Sequence, residues 1–453
     1  MDYDMDYYKT EMMYEPSLDQ TWEMCVWPSI SDISIAFFLC NIIFRLTSQL
    51  FDIPRSLQHI SSIASGIALL YYTLQLDFLR SFYYMLGFTF IEYCLLLTLS
   101  FVNLKNFGHI LTPFCLATLL IGEIVDTEQT WHRIRGTQMV ASLKIVSIAY
   151  DLDRERIQNI PNFLQFWGYI FCPGNVVFGP WCAYNDYIHI FNRRRVSIKW
   201  IFQAALNAFL AIGFLTLSNC IVPDFVPDFD LKWFIAYKGA LSYRCSHYFV
   251  CFLSHCTMLL AGFESKRNSR SKHNQILGYS ITKPWVIEMP RSLVDVVVYW
   301  NLSMHYWLKT YIFTYLKPRG IFKAVILTYI VSSLLHGLNI QLAAVLLSLG
   351  FATYAEYSLR KKLADIYNAC ILAHPCVNCT HQYNSYNPGV IAFNFGFGLL
   401  AVFHLAYLGV VIGGTHDESD MNASLDHIQS CWGPLDYATH WLIFITMCFN
   451  GIV

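Results

Sequence analysis

Long apolar segments recur along nearly all of this 453-residue chain, and they restrict the folds that it can adopt. Hydrophobic residues make up 55% of the sequence and charged residues only 13%, where an average soluble domain has about 25% charged residues. Apolar segments of about 20 residues predict membrane-spanning helices, because a helix pairs its own backbone groups in lipid. The sequence therefore predicts an all-α polytopic membrane protein with about 10–12 transmembrane or re-entrant helices around an internal reaction chamber. The predicted apolar segments are 33–44, 60–76, 83–102, 110–125, 139–148, 163–183, 201–222, 233–263, 285–316, 325–335, 340–354, 390–413 and 437–453.

The first 30 residues differ from these segments, because they are rich in acidic and aromatic side chains. They lack the basic stretch and apolar core of a cleavable signal peptide. We expect residues 1–30 to form a poorly ordered leader and residues 31–453 to form a single transmembrane domain. The 15 cysteines are scattered, mostly through apolar segments, which favours buried, unpaired thiols over a disulfide framework.

Clusters of basic residues indicate the orientation of the chain, because basic loops remain on the cytosolic side of a membrane. The clusters lie at 191–200, 264–275 and 359–363. Between the last two clusters, segments 325–335 and 340–354 supply two crossings if segment 285–316 is re-entrant. The link 336–339 then lies toward the lumen, as does the acidic loop that carries a glycosylation sequon at Asn422.

His336 is the first candidate for chemistry, because a titratable side chain inside an apolar segment is costly in a membrane. A lone histidine in such a run is more often a core residue that hydrogen-bonds between helices. Here Gly337 follows it, and a glycine lets a backbone or a ligand approach closely. A neutral imidazole in a low-dielectric site is also an available general base.

A second polar break falls at Asn301, within an aromatic segment. Its amide could orient reacting groups or donate to an oxyanion, and a helix-packing role is equally consistent with the sequence. The aromatic neighbours could line a channel for a long acyl chain or form an interfacial belt. Arg291 and Lys283 could bind phosphates of an acyl carrier or extend to lipid headgroups.

Three further charged or irregular stretches have mainly structural interpretations. His132, Arg133 and Arg135 form a basic anchor at the membrane surface, although a phosphate contact is possible. The stretch DLDRERI, 151–157, predicts helix caps and ion pairs. The stretch VVFGPW, 176–181, breaks a span, and such backbone is tolerated only inside protein or beside a cavity.

A CxxC motif with a histidine on either side is the one candidate metal site. Its residues are His374, Cys376, Cys379 and His381. These residue types bind zinc, but four ligands within eight residues would be strained. Free or lipidated thiols are the favoured interpretation, so we expect no metal and no tightly bound cofactor. No long basic tract indicates a nucleic-acid partner.

Two motifs carry a resemblance to a known family. They are PRSLVDVVVYWNLSMHYWLKTYIF at 290–313 and SSLLHGLNIQLAAVLLSLGF at 332–351, supported by DTEQTWHRIRGTQM at 126–139 and FHLAYLG at 403–409. On these residues the chain resembles the membrane-bound O-acyltransferase family, over most of its length from about residue 100. The resemblance implies transfer of a fatty acyl group from acyl-CoA to an acceptor hydroxyl.

The members that the chain resembles most attach palmitoleate to a serine of Wnt proteins in the endoplasmic reticulum. The resemblance thus implies palmitoleoyl-CoA as co-substrate, a Wnt protein as acceptor, and a multi-pass location in the endoplasmic reticulum membrane. It assigns the general base to His336, with Asn301 assisting, in a catalytic core at about residues 281–356. The residues that would contact acyl-CoA are Trp300, Tyr306, Trp307, Ser333, Arg291 and Lys283.

Three other functions remain open on the sequence alone. A transporter would also show helix breaks and a histidine at membrane depth, but it predicts inverted repeats, and none is visible. A non-catalytic Wnt escort would not require His336. An enzyme of the same family with a lipid acceptor would share both motifs.

Overall fold

The computed structural model describes most of the chain, and helices make up nearly all of its regular structure. The described residues are 22–31, 35–50, 53–75, 78–102, 106–125, 128–192, 198–227, 231–263, 280–376, 379–412 and 421–452. Within these ranges one isolated bridge, between Ala369 and Tyr383, is the sole β-type pairing. The predicted all-α fold class is confirmed. Residues 193–197 of the basic stretch at 191–200, all of the stretch at 264–275 and residues 414–420 of the acidic loop lie outside the described residues.

The described residues contain sixteen α-helices of six or more residues, labelled here in chain order. They are α1 (Ala36–Arg45), α2 (Arg55–Leu74), α3 (Phe78–Phe101), α4 (Phe107–Val125), α5 (Glu128–Asp153), α6 (Phe163–Ile170), α7 (Tyr184–Ile190), α8 (Ile198–Thr216), α9 (Lys232–Leu260), α10 (Leu293–Trp300), α11 (Leu302–Trp307), α12 (Ile321–Leu335), α13 (Ile340–Tyr367), α14 (Pro388–Gly409), α15 (Met421–Trp432) and α16 (Ala438–Ile452). Shorter helical turns occupy Trp22–Val26, Trp27–Ser31, Leu46–Leu50, Leu217–Ile221, Val222–Phe225, Pro284–Glu288, Leu308–Phe313, Thr314–Leu316 and Lys317–Arg319.

Five helical segments are long and apolar enough to cross a membrane. They are Leu79–Phe101, Phe107–Val125, Ile198–Phe225, Ile340–Tyr367 and Pro388–Gly409. The shorter helices α12 and α16 are also apolar. The chain is thus a multi-pass membrane protein, as its composition predicts.

Helix α5 lies at the centre of the main core, although the sequence predicts only a short apolar segment there, at 139–148. Every residue from Ala141 to Tyr150 is buried. Lys144 is among them, and its ammonium group donates to the carbonyl oxygens of Tyr169 (2.8 Å) and Ile170 (2.9 Å). These bonds pair carbonyls that the end of α6 leaves open, so a charged residue belongs to the core.

The stretch 171–183 is not helical, and nearly all of it is buried. Asn175 accepts a hydrogen bond from Lys144 (2.8 Å), and Trp181 donates its indole N–H to Ser147 (3.0 Å). The irregular backbone predicted at VVFGPW therefore lies inside protein and is held against α5, which satisfies polar groups that lipid would leave unpaired.

One disulfide, Cys25–Cys220, corrects the prediction that the cysteines are unpaired. The other cysteines within the described residues are free. The bond joins helical turns near the N-terminus to the turn Leu217–Ile221 that follows α8. Residues 22–30 of the predicted leader are therefore helical and covalently attached to the bundle, and residues 1–21 lie outside the described residues.

Helix α13 is longer than the predicted segment 340–354 and continues to Tyr367. The basic cluster LRKKL thus forms part of this helix. Arg360 is fully buried and pairs with Glu356 one turn earlier (3.0 Å), whereas Lys361 and Lys362 are exposed. Only part of the cluster consequently acts as surface charge.

Candidate active site

A helix break between α10 and α11 forms the first half of the candidate site. Asn301 sits in it with φ −144° and ψ 92°, an extended conformation that ends one helix and begins the next. The neighbouring stretch 280–283 pairs with the break: Leu302 N–H donates to Ile281 (2.8 Å) and Lys283 N–H donates to Tyr299 (3.1 Å). The opened backbone groups are therefore satisfied, as buried polar groups must be.

Only one of the two polar atoms in the Asn301 side chain has a hydrogen-bond partner among the described residues. Its amide oxygen accepts the backbone N–H of Met304 (3.0 Å) and so caps α11. This contact identifies the oxygen and leaves the amide nitrogen pointing elsewhere. Among the described residues that nitrogen has no hydrogen-bond partner, so a donor is available at the helix break.

Trp300 packs against α9 through a histidine. The ring of His247 stacks on its indole with centroids 4.4 Å apart and an angle of 13°. His247 Nε2–H also donates to the carbonyl of Trp300 (3.0 Å). Both contacts hold the residue before Asn301, so α9 positions the break.

Helix α11 packs against the irregular stretch 171–183 and α5. Ser303 donates to the carbonyl of Trp181 (2.6 Å), and the Tyr306 ring stacks on Trp181 at 5.9 Å. Trp307 is 1% exposed, and its indole N–H donates to the carbonyl of Leu143 (3.0 Å). Trp307 thus belongs to the core, while Tyr306 is half-buried.

His336 forms the second half of the candidate site and ends α12. Its backbone N–H donates to the carbonyl of Ser333 (3.0 Å), whose own side chain is buried. The imidazole is half-buried. Neither ring nitrogen has a hydrogen-bond partner within the described part of the chain, unlike the paired nitrogen of His247.

An acid from α4 supports the link after His336. Gly337 has φ +89°, and a Cβ atom there would lie 2.3 Å from the Glu123 carboxylate. That carboxylate accepts the backbone N–H of Leu338 (2.6 Å) and lies 3.8 Å from Arg135 Nη1. Glycine is therefore required at this position. Glu123 is not among the residues predicted from the sequence, although it is a single acid in an apolar segment.

The two halves border one apolar cluster. Met304 and Tyr306 of α11 pack against it, and Leu335, next to His336, is a member. No hydrogen bond joins Asn301 to His336 within the described residues. Helix α11 and the end of α12 thus both contact the main apolar core, and each carries a polar group that has no hydrogen-bond partner among the described residues. A polar group beside an apolar surface suits a substrate with a polar reacting centre and an apolar tail.

A cavity of about 260 Å³ lies between α4, α5 and α12. Its walls are aromatic and aliphatic, and they include His109, Tyr150, Tyr311, Tyr315, Leu327 and Val331. Val331 precedes His336 by five residues, or about 7.5 Å of helix. The cavity and His336 therefore border the same helix, α12.

The charged stretch DLDRERI forms the caps and ion pairs expected of it. Asp153 accepts the backbone N–H groups of Phe107 and Gly108, both at 2.8 Å, and so caps α4. Asp151 pairs with Arg156 (3.3 Å) and accepts from Tyr311 (3.1 Å). These contacts fix one end of the cavity wall.

Arg291 and Lys283, the predicted phosphate contacts, have partners in the fold. Arg291 donates to the carbonyls of Cys370 (2.8 Å) and Leu372 (3.2 Å). The Lys283 ammonium lies 4.8 Å from the centre of the Tyr299 ring. The nearby Glu288 accepts hydrogen bonds from Arg244 of α9 through both oxygens (2.8 and 2.9 Å).

The cysteine motif brings three of the four metal candidates together. Cys376, Cys379 and His381 cluster with Cys370, and their ligand atoms all lie within 4.8 Å of one another. His374 is outside this cluster, exposed, and 3.6 Å from Asp295. Burial raises the pKa of Cys370, but hydrogen bonds from Cys376 and Cys379 and the charge of Arg291 lower it below the usual thiol value.

Fold and site together define a multi-pass membrane protein with two helix breaks, where the amide nitrogen of Asn301 and the imidazole of His336 have no hydrogen-bond partner among the described residues. The sequence model of the MBOAT, membrane-bound O-acyltransferase, family matches residues 7–360, and the chain belongs to this family. It is therefore an acyltransferase, and its reaction needs an acyl donor.

Individual relatives narrow the comparison. The chain is 36% identical to the human protein-serine O-palmitoleoyltransferase porcupine, over 97% of this chain and 95% of that protein. It is also 36% identical to the porcupine of Anopheles gambiae, over 96% of this chain and 94% of that protein. Lysophospholipid acyltransferase 2 of Arabidopsis thaliana is more distant, at 24% identity over 68% of this chain and 75% of that protein.

Proposed function

We propose that this chain transfers a palmitoleoyl group from palmitoleoyl-CoA to a serine hydroxyl of Wnt proteins, in the membrane of the endoplasmic reticulum. The observation that carries the proposal is the 36% identity to protein-serine O-palmitoleoyltransferases over nearly the whole chain. The imidazole of His336 and the amide nitrogen of Asn301, which both lack a partner among the described residues, support it, because ester formation needs a base and an oxyanion donor.

His336 acts as the general base in this mechanism. A ring nitrogen accepts the proton of the acceptor serine while the serine oxygen attacks the thioester carbonyl. The amide nitrogen of Asn301 donates a hydrogen bond to the oxyanion that forms. Collapse of the tetrahedral intermediate makes the serine ester and expels the CoA thiolate, which takes the proton from the imidazolium. No acyl-enzyme forms.

The cavity beside α12 accommodates part of the acyl chain. Its walls are apolar or aromatic, and each CH₂ group removed from water contributes about 0.8 kcal/mol. Val331 of α12 is the wall residue nearest to His336 in sequence, and the proposal places the acyl tail here with the thioester toward the imidazole. Trp300 and Tyr306 belong to the helices on either side of Asn301, and Ser333 lies one turn before His336.

The arrangement of the helices also suits a secreted acceptor. His336 lies near the start of α13, at the end of the bundle that carries Val345 and Tyr407. Ala236 of α9 belongs to the same cluster. This half of α9 also lies beside the disulfide, because Ser218, two residues before Cys220, exchanges hydrogen bonds with Ser242 (2.8 and 2.7 Å). Disulfides persist in the oxidising lumen, so a Wnt serine would approach His336 from that side.

The test is acyl transfer by the full chain in lipid vesicles, with palmitoleoyl-CoA and a Wnt-derived serine peptide. We expect His336→Ala to lower the rate by about 10²–10⁴-fold, the usual contribution of a general base. His427→Ala is the matched control, because His427 is half-buried and outside both breaks. Unchanged transfer by His336→Ala, or an acyl-enzyme trapped by rapid quenching, contradicts the mechanism.

A lipid acceptor is the second candidate function, favoured by the likeness to a lysophospholipid acyltransferase. Vesicles that contain lysophospholipid but no peptide distinguish the two. Acylation of the lipid at a rate equal to or above that of the peptide supports the lipid acceptor. A non-catalytic escort predicts that the chain binds a Wnt protein and leaves it unacylated.

A further inference from the structure

We propose that Cys370, Cys376, Cys379 and His381 bind a zinc ion, which closes the loop between α13 and α14. The loop brings three thiols and one imidazole together, and their ligand atoms all lie within 4.8 Å of one another. Three cysteines and one histidine are a common ligand set of closed, structural zinc sites. The site lies outside the catalytic breaks, and the inference does not rest on the acceptor proposed above.

The distances in the cluster match tetrahedral coordination. His381 Nδ1 lies 3.6 Å from Cys376 Sγ and 3.4 Å from Cys379 Sγ. Zinc bonds of about 2.3 Å to sulfur and about 2.05 Å to nitrogen, at tetrahedral angles, place such atoms about 3.6 Å apart. Ligand atoms at these separations surround a space of the size that a zinc ion occupies.

Cys370 takes the place of His374 as the fourth ligand, so the four ligands no longer lie within eight residues of sequence. With His374 as a ligand, the four positions would lie within eight residues. With Cys370 the ligand set spans 370–381, and the chain turns back on itself between them. The backbone N–H of Cys370 donates to Tyr383 (2.9 Å), and that of Tyr383 donates to Asn368 (3.1 Å), which brings the two ends of the loop together.

Two arginines hold the first half of the loop in place. Arg360 donates to the carbonyls of Ile371 (2.8 Å) and Leu372 (3.1 Å). Arg291 donates to Cys370, and Ser292 donates to Ala373 (3.1 Å). Cys370 is thus fixed against the bundle, while Cys376, Cys379 and His381 have no comparable anchor among the described contacts. A metal ion would attach the second half of the loop to the first.

The loop lies on the face of the membrane where thiols remain reduced. Val345 of α13 and Tyr407 of α14 cluster at the end of the bundle that carries the disulfide. Helix α13 ends at Tyr367, about 33 Å further along its axis, which exceeds the hydrocarbon thickness of about 30 Å. The cysteines are therefore on the opposite face, where zinc thiolates are favoured over disulfides.

The ion would stabilise more than its own loop. Arg291 and Ser292 immediately precede α10, which ends at the Asn301 break. Since the loop accepts hydrogen bonds from both residues, an ordered loop fixes the start of α10. Loss of zinc should therefore lower the thermal stability of the full chain.

The test measures metal on the full chain, purified in detergent from cells supplied with zinc. We expect about one zinc per chain by elemental analysis, and less than about a tenth of that in Cys379→Ser and His381→Asn. Matched controls are His374→Asn, in the same loop but outside the cluster, and Cys448→Ser, another exposed cysteine. Both should keep their zinc.

A second measurement guards against misfolded variants. Cobalt exchanged into the wild-type chain should give the visible spectrum of a tetrahedral thiolate site. Absence of bound zinc and of this spectrum in the wild-type chain overturns the proposal, as does zinc that persists in Cys379→Ser. Mass spectrometry that finds a Cys376–Cys379 disulfide or an acyl chain on either thiol overturns it too. None of these readouts depends on acyl transfer.

Discussion

The amide oxygen of Asn301 caps α11, while the amide nitrogen is the proposed oxyanion donor, so one substitution can separate the two roles. Aspartate caps helices as well as asparagine, so Asn301→Asp keeps the oxygen that accepts from Met304. It removes the only donor on the side chain. We expect the thermal midpoint to change little and the rate of acyl transfer to fall by about 10²–10³-fold, the usual effect of losing an oxyanion donor.

Asn301→Ala provides the comparison, because it loses the cap as well. The cap contributes about 1 kcal/mol, so this variant should be both less stable and inactive. If Asn301→Asp transfers acyl groups at the wild-type rate, the amide nitrogen has no role in the reaction. Asn301 would then be a structural cap alone.

Gly337 tests how closely the link after His336 is fitted to Glu123. In Gly337→Ala the new Cβ would lie 2.3 Å from the carboxylate, in a backbone conformation that disfavours alanine. We expect the free energy of unfolding to fall by more than about 1 kcal/mol and transfer to fall with it, because His336 shifts. Thermal unfolding and the vesicle assay measure the two effects.

Gly396→Ala is the matched control for that substitution. Gly396 lies within α14, and a Cβ there meets no atom within 4 Å. Alanine in a helix is favoured over glycine by about 0.5–1 kcal/mol, so this variant should be as stable as the wild-type chain or more so. Equal effects at both positions would show that Glu123 does not constrain the link.

At the scale of single elements, α5 depends on one buried charge. Lys144→Met keeps the apolar stem but removes the donor to Tyr169, Ile170 and Asn175. Each buried acceptor left unpaired costs about 1–3 kcal/mol, so the thermal midpoint should drop well below that of the wild-type chain. Lys361→Met, on the exposed surface of α13, should change it little. The thermal midpoints of both variants follow from the fraction of protein that remains monodisperse after heating to each temperature.

The same helix shows why sequence patterns capture only part of this fold. Apolar residues flank Lys144, so the pattern predicts an apolar segment at 139–148. It does not show that α5 runs from Glu128 to Asp153, because its outer turns are polar. Burial of the lysine depends on carbonyls at the end of α6, which are distant in sequence. The sequence thus predicts where a span lies, but it does not predict the length of the helix, which depends on tertiary hydrogen bonds.

The site shows a similar division. His336 and Asn301 stand out because a polar side chain in an apolar or aromatic segment is conspicuous. Glu123 and Cys370 do not stand out in the sequence. Glu123 binds a segment that is distant in sequence, and Cys370 lies outside the CxxC motif. The CxxC motif alone pointed to His374 as a ligand, and only the turn back at Tyr383 replaces it with Cys370.

Across the whole molecule, two chemically different ends are separated by α13 and α14. The disulfide and His336 lie toward one end, and the cysteine loop lies at the other. The two helices run in opposite directions, because Arg360 binds Asn394 (2.6 Å) while Val345 clusters with Tyr407. A donor from the cytosol and an acceptor from the lumen would therefore meet within the bundle.

This arrangement predicts the topology of engineered cysteines in sealed microsomes, whose outer face is cytosolic. A membrane-impermeant thiol reagent should label Lys361→Cys, at the exposed last turns of α13, without detergent. It should label Leu425→Cys, half exposed on α15, only after the membrane is permeabilised, because α14 separates the two positions by about 33 Å. The unsubstituted chain gives the background. Labelling of both positions without detergent would place His336 and the cysteine loop on one face of the membrane. It would then be wrong that the acceptor approaches from the lumen and that the zinc ligands lie in a reducing environment.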